Sequence, residues 1–534
     1  MNKQPFVNIV WGDLIEKNID LPERSVVKKV WYEDERGSLG GYWLNFGAKL
    51  PLEEISGKLL IGDKDFFEQM NAEFLFFSFE KKTKKVRIVS DIYGRFPWYF
   101  FFDKTRLVMS SDLSLVAGQI KNKTLDWDCA FDALNWTMHG TERSMIREIK
   151  QVPAGTMVVL DGETLKFTVT SLIDYQKFLA DKLETFDSIE DFREALLWQL
   201  EKIIEERLRT VKDENFAVEL SSGLDCTLIA YLVNKVMGGG LKAVSGVSKH
   251  MELDTNVSIM SEFAKKHGID LTIVRQDDIT PFSTKAGLNH LAKNVYDWGG
   301  DDIINFQHQL AKLGVKAKFT GDGGDELYQS GEIDKIGKFL LQQLYFDIVD
   351  KVKNGLNIVL TSTAIDYLMD KNRLDARPVY PQIISYSEIR LKRICFGSYW
   401  ESDVWSIDPF ADPRLIRLAR SMPRINNNIV SKQELWSGDN KIFVSGQLLA
   451  PKGGAEDQSR LYLTRYKDFV LELLNKSVLG KLELININEI LSDVTNGNLG
   501  KYAENWAASQ YLMTVVQLEY YLRTNPEIEI HSLT

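Results

Sequence analysis

Residues 216–230 read FAVELSSGLDCTLIA: an apolar run, a short loop of mostly small residues ending in an aspartate, and a second apolar run. Phe216–Leu220 has the character of a buried strand, and Thr227–Val236 that of a helix closed by Gly238, Gly239 and Gly240. The alternation continues outward from this unit. Ala243–Val247 and Leu271–Val274 read as strands, with a helix over Val257–Lys266 between them and Gly268 as its stop. A helix around Ile303–Leu313 then leads to a strand at Val315–Phe319. Alternating strands and helices imply right-handed crossovers and a parallel sheet. Ligands of such sheets bind beyond the carboxyl ends of the strands. Two loops, 221–226 and 320–326, fall at that edge, and the chain from about 335 to 534 reads as mostly helical.

Ahead of this region the texture differs. Phe74–Phe79, Val86–Val89, Trp98–Phe102 and Met157–Leu160 are short runs rich in aromatic and β-branched residues, which suits buried strands. Within 181–210 the apolar residues Phe192, Leu196, Leu197, Leu200, Ile203, Ile204 and Leu208 recur at helical spacing, and Ser188 with Asp191 resembles a capping box. A linker is expected near 175–187, between a first domain over 1–175 and a second over 185–534.

At 534 residues the chain is too long for one core. A net charge of -10 argues against polyanion or nucleic-acid binding as its main task. No run of about 18 apolar residues indicates a membrane span. The N-terminal stretch lacks the apolar core of a signal peptide, so a cytoplasmic location is expected. Cys129, Cys226 and Cys395 are far apart, and the six histidines show no metal-ligand spacing. These features predict free thiols and a metal, if any, held by carboxylates.

The two loops carry the chemistry. In Ser221-Ser222-Gly223-Leu224-Asp225-Cys226, small residues let backbone N–H groups approach an anion at a helix N-terminus, which suits the pyrophosphate of ATP. The loop is neither a Walker A nor a GxGxxG motif. An aspartate beside phosphate makes sense only with a bridging cation, for which magnesium is the usual choice. Alone, the same loop also suits a tight turn with an N-cap aspartate. The second loop, Thr320-Gly321-Asp322-Gly323-Gly324-Asp325-Glu326, combines three glycines with acidic residues. Glycine is entropically costly in an ordinary turn and useful where backbone must approach a nucleotide. Asp325 is the candidate second magnesium ligand, and Asp322 would point toward the reacting centre. A solvated acidic turn and a calcium loop are the competing readings, and the EF-hand register of the latter fails for want of a downstream glutamate.

LSSGLDCTLIA (220–230) resembles the PP-loop signature of asparagine synthetases and their relatives, and FTGDGGDELYQSG (319–331) resembles their second signature. DPFADPRLIRLARSMP (408–423) is similar to the family's PFLD segment. SDIYGRFPWYFFFDKTRLVMSSDLSLV (90–116) and IKQVPAGTMVVL (149–160) resemble stretches of its N-terminal half. The resemblance implies a degenerate N-terminal-nucleophile-hydrolase-like αββα sandwich, followed by an adenine-nucleotide α-hydrolase (PP-loop) domain with helical additions. It also implies adenylation of a carboxylate by ATP with loss of pyrophosphate, then displacement of AMP by an amine. The ATP-binding residues would be Leu220, Ser221, Ser222, Gly223, Leu224, Asp225, Cys226, Val244, Gly246, Thr320 and Gly321. Asp225 and Asp325 would hold Mg2+.

Departures from the family pattern refine this. Glutamine-dependent members need an N-terminal cysteine; here Asn2 follows Met1, so glutaminase activity is not expected. Asp91 keeps the position of a family aspartate, as a scaffold remnant. The charged EVR before PFLD is replaced by Trp405, Ser406 and Ile407, which puts aspartate as substrate in doubt. This pattern resembles the branch that uses an amine already on the substrate, in which a lysine stabilises the charged transition state. Lys452, in the PKGG setting, matches best, ahead of Lys432 and Lys441. Asp322, where β-lactam synthetases carry tyrosine, does not favour β-lactam formation. The leading expectation is a lasso-peptide cyclase acting on a peptide, with a leader peptidase and a precursor-recognition protein as partners. The alternatives are an ammonia- or small-amine-using amide synthetase in a natural-product or sugar pathway, a β-lactam-type intramolecular synthetase, and a non-catalytic scaffold.

Overall fold

The computed structural model describes residues 4–10, 16–47, 49–134, 141–174, 177, 184–247, 254–276, 288–289, 300–329, 349, 352–375, 399–400, 402–425, 428–437, 439, 441–445, 447, 466–497 and 506–533. It is a mixed α/β structure with two antiparallel sheets, one parallel sheet and a two-stranded ribbon among these residues.

The antiparallel sheets come from the first third of the chain. One has five strands in the order Glu16–Asp20, Phe6–Val10, Arg106–Ser110, Tyr99–Phe102, Lys150–Gln151. The other has six, ordered Lys166–Ser171, Thr156–Asp161, Lys85–Ser90, Ala72–Glu80, Gly37–Asn45, Lys28–Glu33. The runs 74–79, 86–89, 98–102 and 157–160 all lie on strands, with Trp98 just outside its strand. The sheets meet face to face. Val7, Ile9, Phe100, Leu107 and Met109 of the first pack in one core with Phe77, Phe79, Val86, Ile88 and Leu160 of the second. Strand alternation puts the neighbouring residues on the far faces. Val30, Phe74, Phe76 and Val89 there meet Ile55 and Leu59 of helix Leu52–Ile61. Tyr99 and Val108 meet helix Trp127–Leu134 on the other side, giving the layer order helix, sheet, sheet, helix. That outer helical layer also takes in Val470, Leu474, Leu512 and Val516, so one core joins residues from both ends of the chain.

The parallel sheet has the order Asp270–Arg275, Lys242–Val247, Phe216–Glu219, Ala317–Phe319, Trp405–Ile407. The first four are the strands the alternation predicts. The fifth lies where mostly helix is expected. Its three residues, WSI, are too few to show a period, and it is held by parallel pairing to Ala317–Phe319. Helix Ile189–Val211 packs beside helices Leu224–Met237 and Pro413–Ala419, with Phe192, Leu196, Leu200 and Ile203 all buried. Its Ser188 cap accepts from the Asp191 amide, as the capping-box resemblance predicts for that half of the motif. Most of the segment expected as linker, 175–187, lies outside the described residues.

Candidate functional site

Each of the two loops leaves a strand of the parallel sheet at its carboxyl end. Leu220 is buried and donates its amide to the Val244 carbonyl at 2.8 Å, extending the sheet by one residue. Gly223 is the N-cap of helix Leu224–Met237, with no side-chain cap bond. Ser221 Oγ accepts from the Gly223 amide at 3.1 Å, while Thr227 Oγ1 donates to the Gly223 carbonyl at 2.7 Å. Gln447 Nε2 reaches Thr227 Oγ1 at 2.5 Å, so the loop is braced from behind. Gly223 is exposed, Ser221 and Ser222 are half-buried, and Leu224 is buried.

The loops touch through glycine. A Cβ at Gly321 would stand 2.4 Å from the Cys226 amide nitrogen, so only glycine permits this backbone approach. At the far end of the second loop, Lys432 binds both predicted metal carboxylates. Its Nζ makes ion pairs with Asp225 Oδ2 and, at 2.8 Å, with Asp325 Oδ1. Lys432 opens the short helix Lys432–Trp436, fixed by a complete capping box between Ser431 and Glu434. Burial alone would lower the Lys432 pKa; the two carboxylates outweigh it and hold the ammonium above the ordinary lysine value.

Beneath this lies a second set of charges. Lys318 pairs with Glu219 at 2.6 Å, both on the parallel strands. Thr320 Oγ1 donates to Asp408 Oδ1 at 2.6 Å and accepts from the Asp322 amide at 3.2 Å. Desolvation, followed by the charges of Asp408 and Glu219, pushes the Asp322 carboxyl up to about 7 against the opposing pull of Lys318. Burial, with Glu219 next, pushes the Cys226 thiol up to about 12, so it is no nucleophile at neutral pH.

The predicted residues therefore assemble in part. Leu220 to Cys226, Thr320, Gly321, Asp322 and Asp325 converge at one edge of the sheet. Val244 is buried under it, packed with Ala217, Phe306 and Leu310. Gly246 is exposed at the end of its strand, where a Cβ would meet Gln276 Nε2 at 2.6 Å. Lys452 lies outside the described residues. Lys441 is exposed, its backbone amide donating to Asp439. Asp91 is buried and its carboxylate accepts from the amides of Phe74, Tyr93 and Arg95, an internal brace. Sequence reasoning did not single out Glu219, Lys318, Asp408 or Arg95. Two of these lie in segments that the resemblance covers: Asp408 opens DPFAD, and Arg95 falls within the stretch 90–116. Among the described residues no group of three or more His, Cys, Asp or Glu side chains is arranged to hold a metal unaided. Two carboxylates from different loops closing on one cationic centre nevertheless fit a magnesium ion that completes its shell with phosphate oxygens and water.

Comparison with known proteins agrees at the level of the domain. Residues 196–357 match the family model of asparagine synthase, a segment that contains both loops but less than half of the chain. The match supports an asparagine synthetase-like, ATP-using carbon–nitrogen ligase. No curated protein sequence matches the chain. Solved structures similar to it include the U34-tRNA thiolase NcsA from Methanococcus maripaludis with its 4Fe-4S cluster, at 15% identity, TM-score 0.24, covering 58% of this chain and 80% of that one. Another is glutamine phosphoribosylpyrophosphate amidotransferase from B. subtilis, complexed with ADP and GMP, at 10% identity, TM-score 0.20, covering 51% and 76%. No described helix is long and apolar enough to cross a membrane.

Proposed function

We propose that the chain is an ATP-dependent amide synthetase that works by adenylation. A substrate carboxylate oxygen attacks the α-phosphorus of ATP and pyrophosphate leaves; an amine then attacks the acyl carbon, loses a proton, and expels AMP. The observation that carries this reading is the convergence of Asp225 and Asp325, from two loops of one parallel sheet, on a single cation position held by Lys432. Both loops fall within the segment that matches asparagine synthase.

The backbone of Ser221, Ser222 and Gly223 at the helix N-terminus would receive the pyrophosphate. Asp225 and Asp325 would hold magnesium, which when bound spreads the charge of the leaving group. Lys432, released from the carboxylates, would turn its three donors to phosphate oxygens. Asp322, its carboxyl pushed up to about 7, would take the proton of the attacking amine. Lys452 remains the proposed donor to the transition-state oxygens. Holding acyl-adenylate and amine together would supply up to roughly 7–11 kcal/mol of the barrier reduction.

For the amine we propose one carried by the substrate itself, in the manner of a lasso-peptide cyclase closing a macrolactam. Neither described cysteine suits ammonia release from glutamine: Cys129 is buried in helix Trp127–Leu134 and Cys226 carries a suppressed thiol. The setting proposed is the cytoplasm, where ATP and a reducing milieu coincide. The class is tested by phosphorus NMR of Mg-ATP incubated with peptides bearing a free N-terminus and an internal Asp or Glu. AMP with pyrophosphate supports adenylation. ADP with inorganic phosphate would overturn it.

A further inference from the structure

Arg95 lies on the loop that joins strand Lys85–Ser90 of one N-terminal sheet to strand Tyr99–Phe102 of the other, yet its guanidinium serves the parallel sheet. Nη1 meets Asp408 Oδ2 at 2.5 Å, and Nη2 donates to the Ser406 carbonyl at 2.8 Å. Nε lies 3.4 Å from Glu73 Oε1, and Glu73 Oε2 accepts from the Trp405 indole at 2.9 Å. Strand Trp405–Ile407 and the residue that follows it are thus clamped by two side chains of the first 100 residues. The other oxygen of Asp408 accepts from Thr320 Oγ1, which accepts from the Asp322 amide. The Thr320 amide donates to the Ile407 carbonyl at 3.0 Å. An unbroken chain of polar contacts therefore runs from Arg95 through Asp408 and Thr320 into the backbone of the loop that carries Asp325.

We propose that Arg95 is a positioning residue for the 320–326 loop, so that the N-terminal sheets, without a glutaminase role, set the geometry in which the second loop receives Mg-ATP. This rests on the functional reading above. A fork-shaped guanidinium suits the task because it meets a carboxylate and a carbonyl at once in fixed geometry. The side chains of Arg95 and Asp408 are 10% and 4% exposed, so the pair is shielded and its orientation is not averaged by solvent. Supporting groups that orient a ligand-bearing segment typically change affinity or activity by about 10–100-fold when removed.

The structure supplies its own control. At the opposite end of the same strand pair, Ser25 Oγ donates to Asp403 Oδ2 at 2.5 Å, and Asp403 pairs with Lys316 at 3.1 Å. That contact also joins the N-terminal sheets to the parallel sheet, but it leads away from the loops.

The experiment titrates Mg-ATP into wild type, Arg95→Gln, Arg95→Lys, Thr320→Val and Ser25→Ala by calorimetry, with a thermal melt of each. Arg95→Gln is expected to bind about 10–100-fold more weakly, Arg95→Lys to recover part of the loss, and Ser25→Ala to bind like wild type whatever its melting temperature. Arg95→Lys added to Thr320→Val is expected to cost less than the sum of the two, since both cut one chain of contacts. Should Arg95→Gln not fold, that pair decides. Wild-type affinity in a folded Arg95→Gln, or fully additive losses in the Arg95→Lys and Thr320→Val pair, would overturn the positioning role. A wild-type protein that binds no Mg-ATP would instead overturn the functional reading on which it rests.

Discussion

Gly324 packs against Asp225 so tightly that a Cβ on the glycine would stand 2.4 Å from the Asp225 carboxyl carbon and 2.5 Å from its Oδ1. The two loops thus touch directly, and the position of the Asp225 carboxylate, the first of the proposed metal ligands, depends on the absence of a side chain at Gly324. Gly321 does the same against backbone, with a Cβ 2.4 Å from the Cys226 amide nitrogen.

These two contacts predict different failures. Gly324→Ala pushes on a side chain, which can yield by turning away, so Mg-ATP affinity should fall while the melting temperature changes little. Gly321→Ala pushes on backbone, which cannot yield without moving the helix, and should destabilise the protein by about 1–3 kcal/mol. Urea unfolding of both variants beside Mg-ATP titrations separates the two. Equal loss of stability in both would contradict the geometry.

Lys432, Lys441 and Lys452 make a second comparison. Removing Lys432 leaves the facing carboxylates of Asp225 and Asp325 without the ammonium that now binds both. Lys432→Ala should therefore lower the stability of the metal-free protein, on the order of 1–3 kcal/mol, and magnesium should restore more stability than it does in wild type. Lys452→Ala should lose product formation by at least about a hundredfold, whereas Lys441→Ala should retain it. A Lys432→Ala protein with unchanged melting behaviour, or an inactive Lys441→Ala, would contradict the assignment.

How far the sequence discloses this site depends on the type of residue. Gly321, Asp322, Gly324 and Asp325 are legible because their combination makes little sense as a plain turn, and Ser221 to Asp225 because a strand precedes them and a helix follows. Four strands of the parallel sheet are legible from their apolar runs. The fifth, Trp405–Ile407, is not: its three residues pair with Ala317–Phe319 through non-local contacts that no local pattern encodes. Arg95, Asp408, Glu219 and Lys318 were hidden for a related reason. Each is an ordinary charged residue whose partner lies far away in the chain, as with Lys318 and Glu219, 99 residues apart. The choice between Lys432 and Lys452 likewise turns on tertiary placement, which motif spacing does not fix.

Asp322 gives a pH signature. Desolvation and then Asp408 and Glu219 push its carboxyl up to about 7 in the folded protein, against about 3.9 in an unfolded chain. Between those values the folded state binds more protons than the unfolded state, so this residue makes stability fall as pH rises from about 4 to 7. Asp322→Asn, which cannot ionise, should flatten that part of the profile and melt higher than wild type at pH 7.5. Melting temperatures of the two proteins across this range provide the check, and parallel profiles would contradict the shift.

The proposed function depends on Asp225 and Asp325 together forming the magnesium site at which ATP is split into AMP and pyrophosphate. The measurement that reaches it most directly is pyrophosphate release from Mg-ATP by wild type, Asp225→Asn and Asp325→Asn, each shown by thermal melting to be folded. Asparagine keeps the shape of each side chain and removes the charge that binds the cation. The expected result is release by wild type and a loss of at least about a hundredfold in each variant. Near-wild-type release from either folded variant would contradict it.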